Sequence, residues 1–249
     1  MHRDELETLA AAFRSASTDV VLSGLALGLP DDLDMGVTRR EWAKRANLDA
    51  LMTEPQRFWE YLYPTGLDVA AREPTTSHRA LARMQNAGLI AHHITQSVDR
   101  LHARAGSVGV IEVFGNLLTV HCGRCGERYG LPEMGPLIEL SDDGVPRCTN
   151  DGCDFPLRPT GTLWGEPLPP VPLQKAWELA AICDVFVTFD CDLRTAPISL
   201  LPSVPLTKGT PLYIVGEEPT QYDRYAAQVI RAPSRELLPR LAEILLNDT

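Results

Sequence analysis

Four cysteines are grouped as Cys122-x2-Cys125 and Cys148-x4-Cys153, with 22 residues between the pairs. Each pair lies beside glycine: Gly123 and Gly126 flank the first, and Gly152 sits inside the second. Tight turns of this kind can face one another and offer four thiolates to one tetrahedral Zn²⁺. Such a site has no open position, so it predicts structural metal, folding a segment too small to hold itself together. The competing reading is a set of free buried thiols. His121, next to Cys122, reads as a strand residue rather than a ligand. Cys183 reads as core. Cys191 falls just past an apolar run, where the carboxyl end of a parallel strand would place a reactive group. A lone cysteine is nevertheless more often core than nucleophile.

The elements around these residues follow from periodicity. Residues 4–16 carry Leu6, Leu9, Ala12 and Phe13 on one helical face. Asp19 to Ser23 reads as a buried strand closed by Gly24, the usual opening of a nucleotide-binding α/β unit. Residues 29–75 predict a small helical lobe containing Trp42, Phe58 and Trp59. A capped helix starts near Thr76 and is closed by Gly88. Candidate strands are Ile90 to Ile94 and Val108 to Val113, with a short helix from Asp99 to Arg104 between them. Residues 115–165 are rich in turn formers. Helix resumes at Lys175 to Ala181, and strands follow at Asp184 to Phe189, Pro211 to Gly216 and Val229 to Arg231. Residues 234–246 close the chain as an amphipathic helix. Alternating strands and helices predict a doubly wound parallel α/β sheet covered on both faces. The expected division is a Rossmann-like domain of residues 1–28, 76–113 and 166–249, a reduced helical lobe of 29–75, and a zinc-binding module of 114–165.

Composition removes several function classes. The chain has 249 residues, 44% hydrophobic and 22% charged, as an ordinary globular protein does. Its 23 basic and 33 acidic residues give a net charge of −10, with no basic block, so a nucleic-acid partner is not expected. No apolar run reaches the roughly 18 residues that span a bilayer. A cytoplasmic protein without membrane attachment is expected.

At this point the residues resemble the sirtuins, NAD-dependent protein deacylases built from a Rossmann-type domain and a four-cysteine zinc module. Pro74-Thr75-Thr76-Ser77-His78-Arg79-Ala80-Leu81-Ala82 looks like the family helix before the second strand. Thr95-Gln96-Ser97-Val98-Asp99-Arg100-Leu101-His102 continues to Gly106-Ser107 and is similar to T-Q-N-I-D-G-L-H-x-x-A-G-S. Leu157-Arg158-Pro159 and Trp164-Gly165-Glu166-Pro167-Leu168-Pro169 are similar to L-R-P and F-G-E-x-L-P. Glu236 to Leu241 fits the family's end. The resemblance covers most of residues 19–245.

The resemblance also marks departures. The family's H-G-S histidine, general base on a ribose hydroxyl, falls at Phe114 of Phe114-Gly115-Asn116. A phenylalanine cannot accept that proton. His92 and His93 read as sheet residues. In the former cofactor cleft, the family's G-A-G-I-S reads Gly24-Leu25-Ala26-Leu27-Gly28. Gln96 and Asp99 persist, Ser97 replaces an asparagine, and G-T-S reads Asp190-Cys191-Asp192. The D-F-R stretch is not recognisable in Asp31, Asp32 and Asp34, and the ribose asparagine falls at Gly216 or a neighbouring Glu. A carboxylate about 4 Å from a phosphate charge costs on the order of 4 kcal/mol at an effective dielectric of about 20. The expectation is therefore an electronegative cleft with doubtful NAD affinity, suited to a protein or peptide partner or a cationic small molecule. The leading reading is a sirtuin-like binding or scaffold module without deacylase activity. Its alternatives are an active deacylase or ADP-ribosyl transferase with an altered base, and a small-molecule enzyme using Cys191 or Asp190/Asp192.

Overall fold

A computed structural model describes residues 2–25, 27, 43–191 and 193–247. The expectations placed on Ala26, Gly28, Asp31, Asp32, Asp34, Trp42 and Asp192 lie outside the described residues.

The first helix, α1 (Arg3–Ser15), starts with Asp4 and Glu5 and ends with Arg14, matching the sign of the helix dipole at each end. It leads into β1 (Asp19–Ser23), which is buried along its whole length. The lobe contributes a short helical turn, Leu48–Thr53, and α2 (Pro55–Ala70), whose Pro55 occupies the first turn while a second proline, Pro64, lies inside the helix. Next comes α3 (Thr76–Asn86). Its cap is Thr75, in a capping box closed by His78 rather than by the more usual Glu or Gln. β2 (His92–Thr95), α4 (Leu101–Arg104) and β3 (Ile111–Glu112) follow. The two strands are shorter than their apolar runs predict. The cysteine region holds β4 (Thr119–Cys122), β5 (Arg128–Gly130) and β6 (Leu157–Pro159). The chain ends with α5 (Pro170–Ile182), β7 (Val185–Phe189), β8 (Leu212–Val215), β9 (Gln228–Ile230) and α6 (Ser234–Asn247).

Six strands form a wholly parallel sheet in the order β3-β2-β1-β7-β8-β9. Chain direction along the sheet reverses between β1 and β7, and that crevice is the topological switch point. Alternate residues face opposite cores. Val21, Val187 and Phe189 pack with Leu9, Leu81, Leu238 and Leu241 from α1, α3 and α6. Val20, Leu22 and Phe186 pack with Ala176, Leu179 and Ala180 of α5 on the other face. This is the doubly wound arrangement expected from the sequence.

A second, antiparallel sheet, β5-β4-β6, carries the cysteines. Its core is shared with the helical lobe: Phe58, Trp59, Leu62 and Val69 pack among Val120, Leu131, Met134 and Leu157. No helix among the described residues is long and apolar enough to cross a membrane.

Candidate functional site

The four sulfur atoms come together as the spacing predicts. Cys122 Sγ lies 3.6 Å from Cys153 Sγ, Cys125 Sγ lies 3.5 Å from Cys148 Sγ, and all four fall within 4.8 Å of one another. A tetrahedron with Zn–S bonds of about 2.3 Å has S···S edges of about 3.8 Å, so the donor set and its size fit one zinc ion. The Cys122 thiol is held down at about 6: desolvation opposes ionisation, but the backbone N–H groups of Cys125 and Arg124 donate to its sulfur and win. Cys153 is pushed up to about 12 by burial and by its neighbouring sulfurs. Four thiols this close cannot all ionise unless a cation joins them. Tyr129 adds a hydroxyl 3.3 Å from Cys148 Sγ. His121 stays on β4 between Arg128 and Arg158, outside the cysteine group.

A second constellation gathers at the carboxyl ends of β1, β2 and β3. Gly24 follows β1, and a Cβ there would stand 1.6 Å from the Asp190 carbonyl oxygen, so only glycine fits this crossing. After β2, the Gln96 N–H donates to the Ser23 carbonyl and the Ser97 N–H to Thr95 Oγ1. Gln96 Oε1 and Ser97 Oγ are buried and have no hydrogen-bond partner. Asp99 is buried and accepts from the Leu101 N–H at 2.9 Å. Beyond β3, Asn116 Nδ2 donates to Glu112 at 2.9 Å, while Asn116 Oδ1 is likewise buried and unpartnered. Buried polar atoms without a partner also occur elsewhere among the described residues, as at Trp59 Nε1 and Ser77 Oγ, but three of them lie together on the loops after β2 and β3, at the strand ends where open sheets bind ligands.

Phe114 stands in this constellation. Its carbonyl accepts from the Thr162 N–H at 2.8 Å, and its half-buried ring packs on the core cluster under α5. Gly115 has φ 65°, and a Cβ there would lie 2.4 Å from the Thr160 carbonyl oxygen. Backbone and register at 114 are thus pinned from both sides. Opposite, Glu166 accepts from Arg158 at 2.7 Å and from the Leu163 N–H, bracing the loop that leaves Trp164 49% exposed.

The Asp190 carboxylate accepts from the Ser234 hydroxyl at the start of α6. The carboxyl is raised by burial, against the opposing effect of the Ser234 hydrogen bonds. A charge turned to a helix N-terminus is locally compensated. Cys191 is half-buried, and its thiol donates to the Leu22 carbonyl at 3.1 Å, between the ends of β1 and β7. Cys183 is core, and burial pushes its thiol up to about 11.

The sequence reading missed one cluster. Ser23 Oγ lies 2.9 Å from His93 Nε2 and 3.2 Å from His102 Nε2, and it donates to Thr95 Oγ1. The His102 ring centroid is 4.3 Å from that of His93 and 4.6 Å from that of His78. All three histidines are buried under the turn that carries Gly24. The available signal was parity: His93 pairs with Val21, which faces a core.

With this geometry established, similarity to other proteins becomes informative. The Sir2 family model matches residues 36–197. NAD-dependent protein deacetylase 1 of Pyrobaculum aerophilum is 34% identical over 97% of this chain and 95% of its own length. Among solved structures, a Sir2 protein with a p53 peptide and NAD+ superposes with a TM-score of 0.83 at 27% identity, covering 98% of each chain. A Sir2 protein carrying a histidine-to-tyrosine mutation, with a p53 peptide and NAD, also gives 0.83 at 27% identity over 96% of this chain and 98% of that one.

Proposed function

The chain belongs to the Sir2 family, and we propose that it holds an NAD-type dinucleotide and a peptide without deacylating the peptide, as a binding or scaffold module. One observation carries the loss of chemistry. Position 114, pinned by Gly115 and Thr162, presents a phenyl ring with no proton-accepting atom. In this family's reaction NAD supplies the ribose from which nicotinamide is displaced, and a base at this position takes a ribose hydroxyl proton. Phe114 cannot take it. Retained binding is supported by the unpartnered Gln96, Ser97 and Asn116 atoms and by Gly24 at the switch point. A Sir2 structure with a mutant aromatic in place of a histidine, and with both peptide and NAD, agrees with this combination. The four-cysteine centre, on the same reading, holds structural zinc.

The test is paired. Calorimetry should detect NAD or ADP-ribose binding to the purified chain. Nicotinamide release from NAD with an acetyl-lysine peptide should stay at background. Turnover by the wild type would overturn the proposal.

A second reading, deacylation through another base, is favoured by Glu112. Its carboxyl is raised by burial, against the lowering effects of the Asn116 hydrogen bond and the Arg100 charge, and it lies two residues before Phe114. That reading requires wild-type turnover that Glu112→Gln abolishes.

A further inference from the structure

A line of hydrogen bonds runs from the buried histidines into the cleft. Ser23 Oγ, at the end of β1, donates its single proton to Thr95 Oγ1 at 2.9 Å, and Thr95 Oγ1 also accepts from the Ser97 N–H at 3.0 Å. Ser23 Oγ then has only lone pairs to offer. His93 Nε2 and His102 Nε2, 2.9 and 3.2 Å away, must therefore both be its donors, which leaves the Nδ1 atom of each ring without a proton. His102 Nδ1 is buried and has no hydrogen-bond partner. His78 Nδ1 is also proton-free, because it accepts the Thr75 N–H at the start of α3. A further proton finds no acceptor here: on His102 it would make a buried, unpaired N–H, and on His78 it would evict the Thr75 N–H. The loop after β2 is tied to the same groups. The Gln96 N–H donates to the Ser23 carbonyl, and the Val98 carbonyl accepts from the Leu117 N–H at 2.9 Å, beside Asn116. The loop ends at Arg100, whose φ of 60° is a left-handed conformation that costs energy in a residue with a side chain.

We propose that His78, His93 and His102 form an acid-operated release for the ligand cleft: proton uptake by their rings frees the loop from Gln96 to Arg100 and lowers ligand affinity while the rest of the fold stays intact. The inference rests on the reading that this cleft binds a dinucleotide, and adds a regulated state to it. In the closed form burial holds all three rings neutral. Asp99 of the loop favours a proton on His78 and Arg79 of α3 disfavours it, while His93 of β2 and His102 of α4 face the other imidazoles. Opening the loop lets water reach the rings and returns them toward pH 6.5. Below that pH each hydrated ring favours the open form by about tenfold per pH unit. Three rings give up to about a thousandfold at pH 5.5, so a loop open about 1% of the time at neutral pH becomes mostly open. Above 6.5 the rings are neutral in both forms and the closed loop persists.

Two measurements on the full chain at pH 7.5 and pH 5.5 test this: calorimetry with ADP-ribose, and hydrogen exchange corrected for its intrinsic pH dependence. Wild-type affinity should fall by about tenfold at the lower pH. The Gln96 and Ser97 amides should lose protection there, while β7 and α6 keep theirs. His93→Gln combined with His102→Gln leaves an N–H donor for Ser23 at each position and removes two titrating rings. The affinity of that double variant should differ by less than about threefold between the two pH values. An equal fall in the double variant overturns the release, as does a wild-type affinity that ignores pH. So does a loss of protection in β7 together with the loop, which would be acid unfolding of the whole domain. Should the double variant not fold, the wild-type exchange pattern decides alone. A wild type that binds no ADP-ribose at pH 7.5 overturns the dinucleotide reading, and the exchange measurement then still shows whether acid frees the loop.

Discussion

Phe114→His returns one proton acceptor to a site that has changed elsewhere. General-base catalysis is worth about a hundredfold to ten-thousandfold when the substrate is already positioned. It acts only on a substrate held in near-attack geometry. Here Ser97 is shorter than the family's asparagine, and its hydroxyl is buried without a partner. The single variant should therefore stay at background in a nicotinamide-release assay, and robust turnover would show the rest of the site to be intact. The new imidazole would also enter an apolar neighbourhood that now packs a phenyl ring. Among single residues, legibility in the sequence tracked locality. The four cysteines were legible because their partners lie in two short, turn-bound pairs. The orientation of Asp190 was not legible because its partner, Ser234, is 44 residues away and the volume it fills is released by Gly216. Residue type announces a charge; only packing decides which way it points.

Elements with one dominant cause were read well. β1 and β7 are built on the apolar runs Val20-Val21-Leu22 and Val185-Phe186-Val187 and are buried along their length, and α3 carries its own cap. The antiparallel β5-β4-β6 sheet was not foreseen. Its strands are three or four residues long and gain order from pairing with one another and from the cysteine centre. That dependence predicts one equivalent of zinc per chain by metal analysis; folded, zinc-free protein would contradict it. Cys148→Ser should destabilise the module by several kcal/mol, because binding energy at such sites is folding energy. The damage should spread, since Phe58 and Trp59 of α2 share the module's core. Hydrogen exchange across Pro55–Ala70 should rise on chelation, while β1 and β7 stay protected. The joint between sheet and module has its own weak point. Gly115→Ala places a Cβ 2.4 Å from the Thr160 carbonyl at a φ of 65°. It should cost about 2–4 kcal/mol in a denaturant titration, as both strain and overpacking act on backbone.

At the scale of the whole molecule, the buried histidines set the direction of the pH response. His78, His93 and His102 are each lowered by burial, His93 to about 3, and their mutual repulsion adds to the effect at His93 and His102. Asp99 opposes it at His78, where Arg79 adds to it. In the unfolded chain each histidine takes up its proton near pH 6.5. Between that pH and about 3 the unfolded state therefore binds more protons than the native state. Stability is fully present above about 6.5 and erodes as pH falls. Asp19, pushed up to about 6 chiefly by burial, works the other way, since its native form keeps a proton that the unfolded chain releases. Glu112 and Asp190, also raised chiefly by burial, act with Asp19, while His92 and His121, lowered by burial, act with the three clustered rings. Five lowered histidines against three raised carboxyls leave a net loss on acidification. The cluster lies directly beneath Ser23 and Gly24, so protonation there would disturb the end of β1 from below. Melting temperatures measured from pH 8 down to pH 4.5 should fall, with the decline starting near 6.5. His93→Leu removes one of the three titrating rings. It breaks the Ser23 contact and should lower stability at pH 8, yet it should flatten the slope below 6.5. An unchanged slope in that variant would show that the acid response arises elsewhere in the fold.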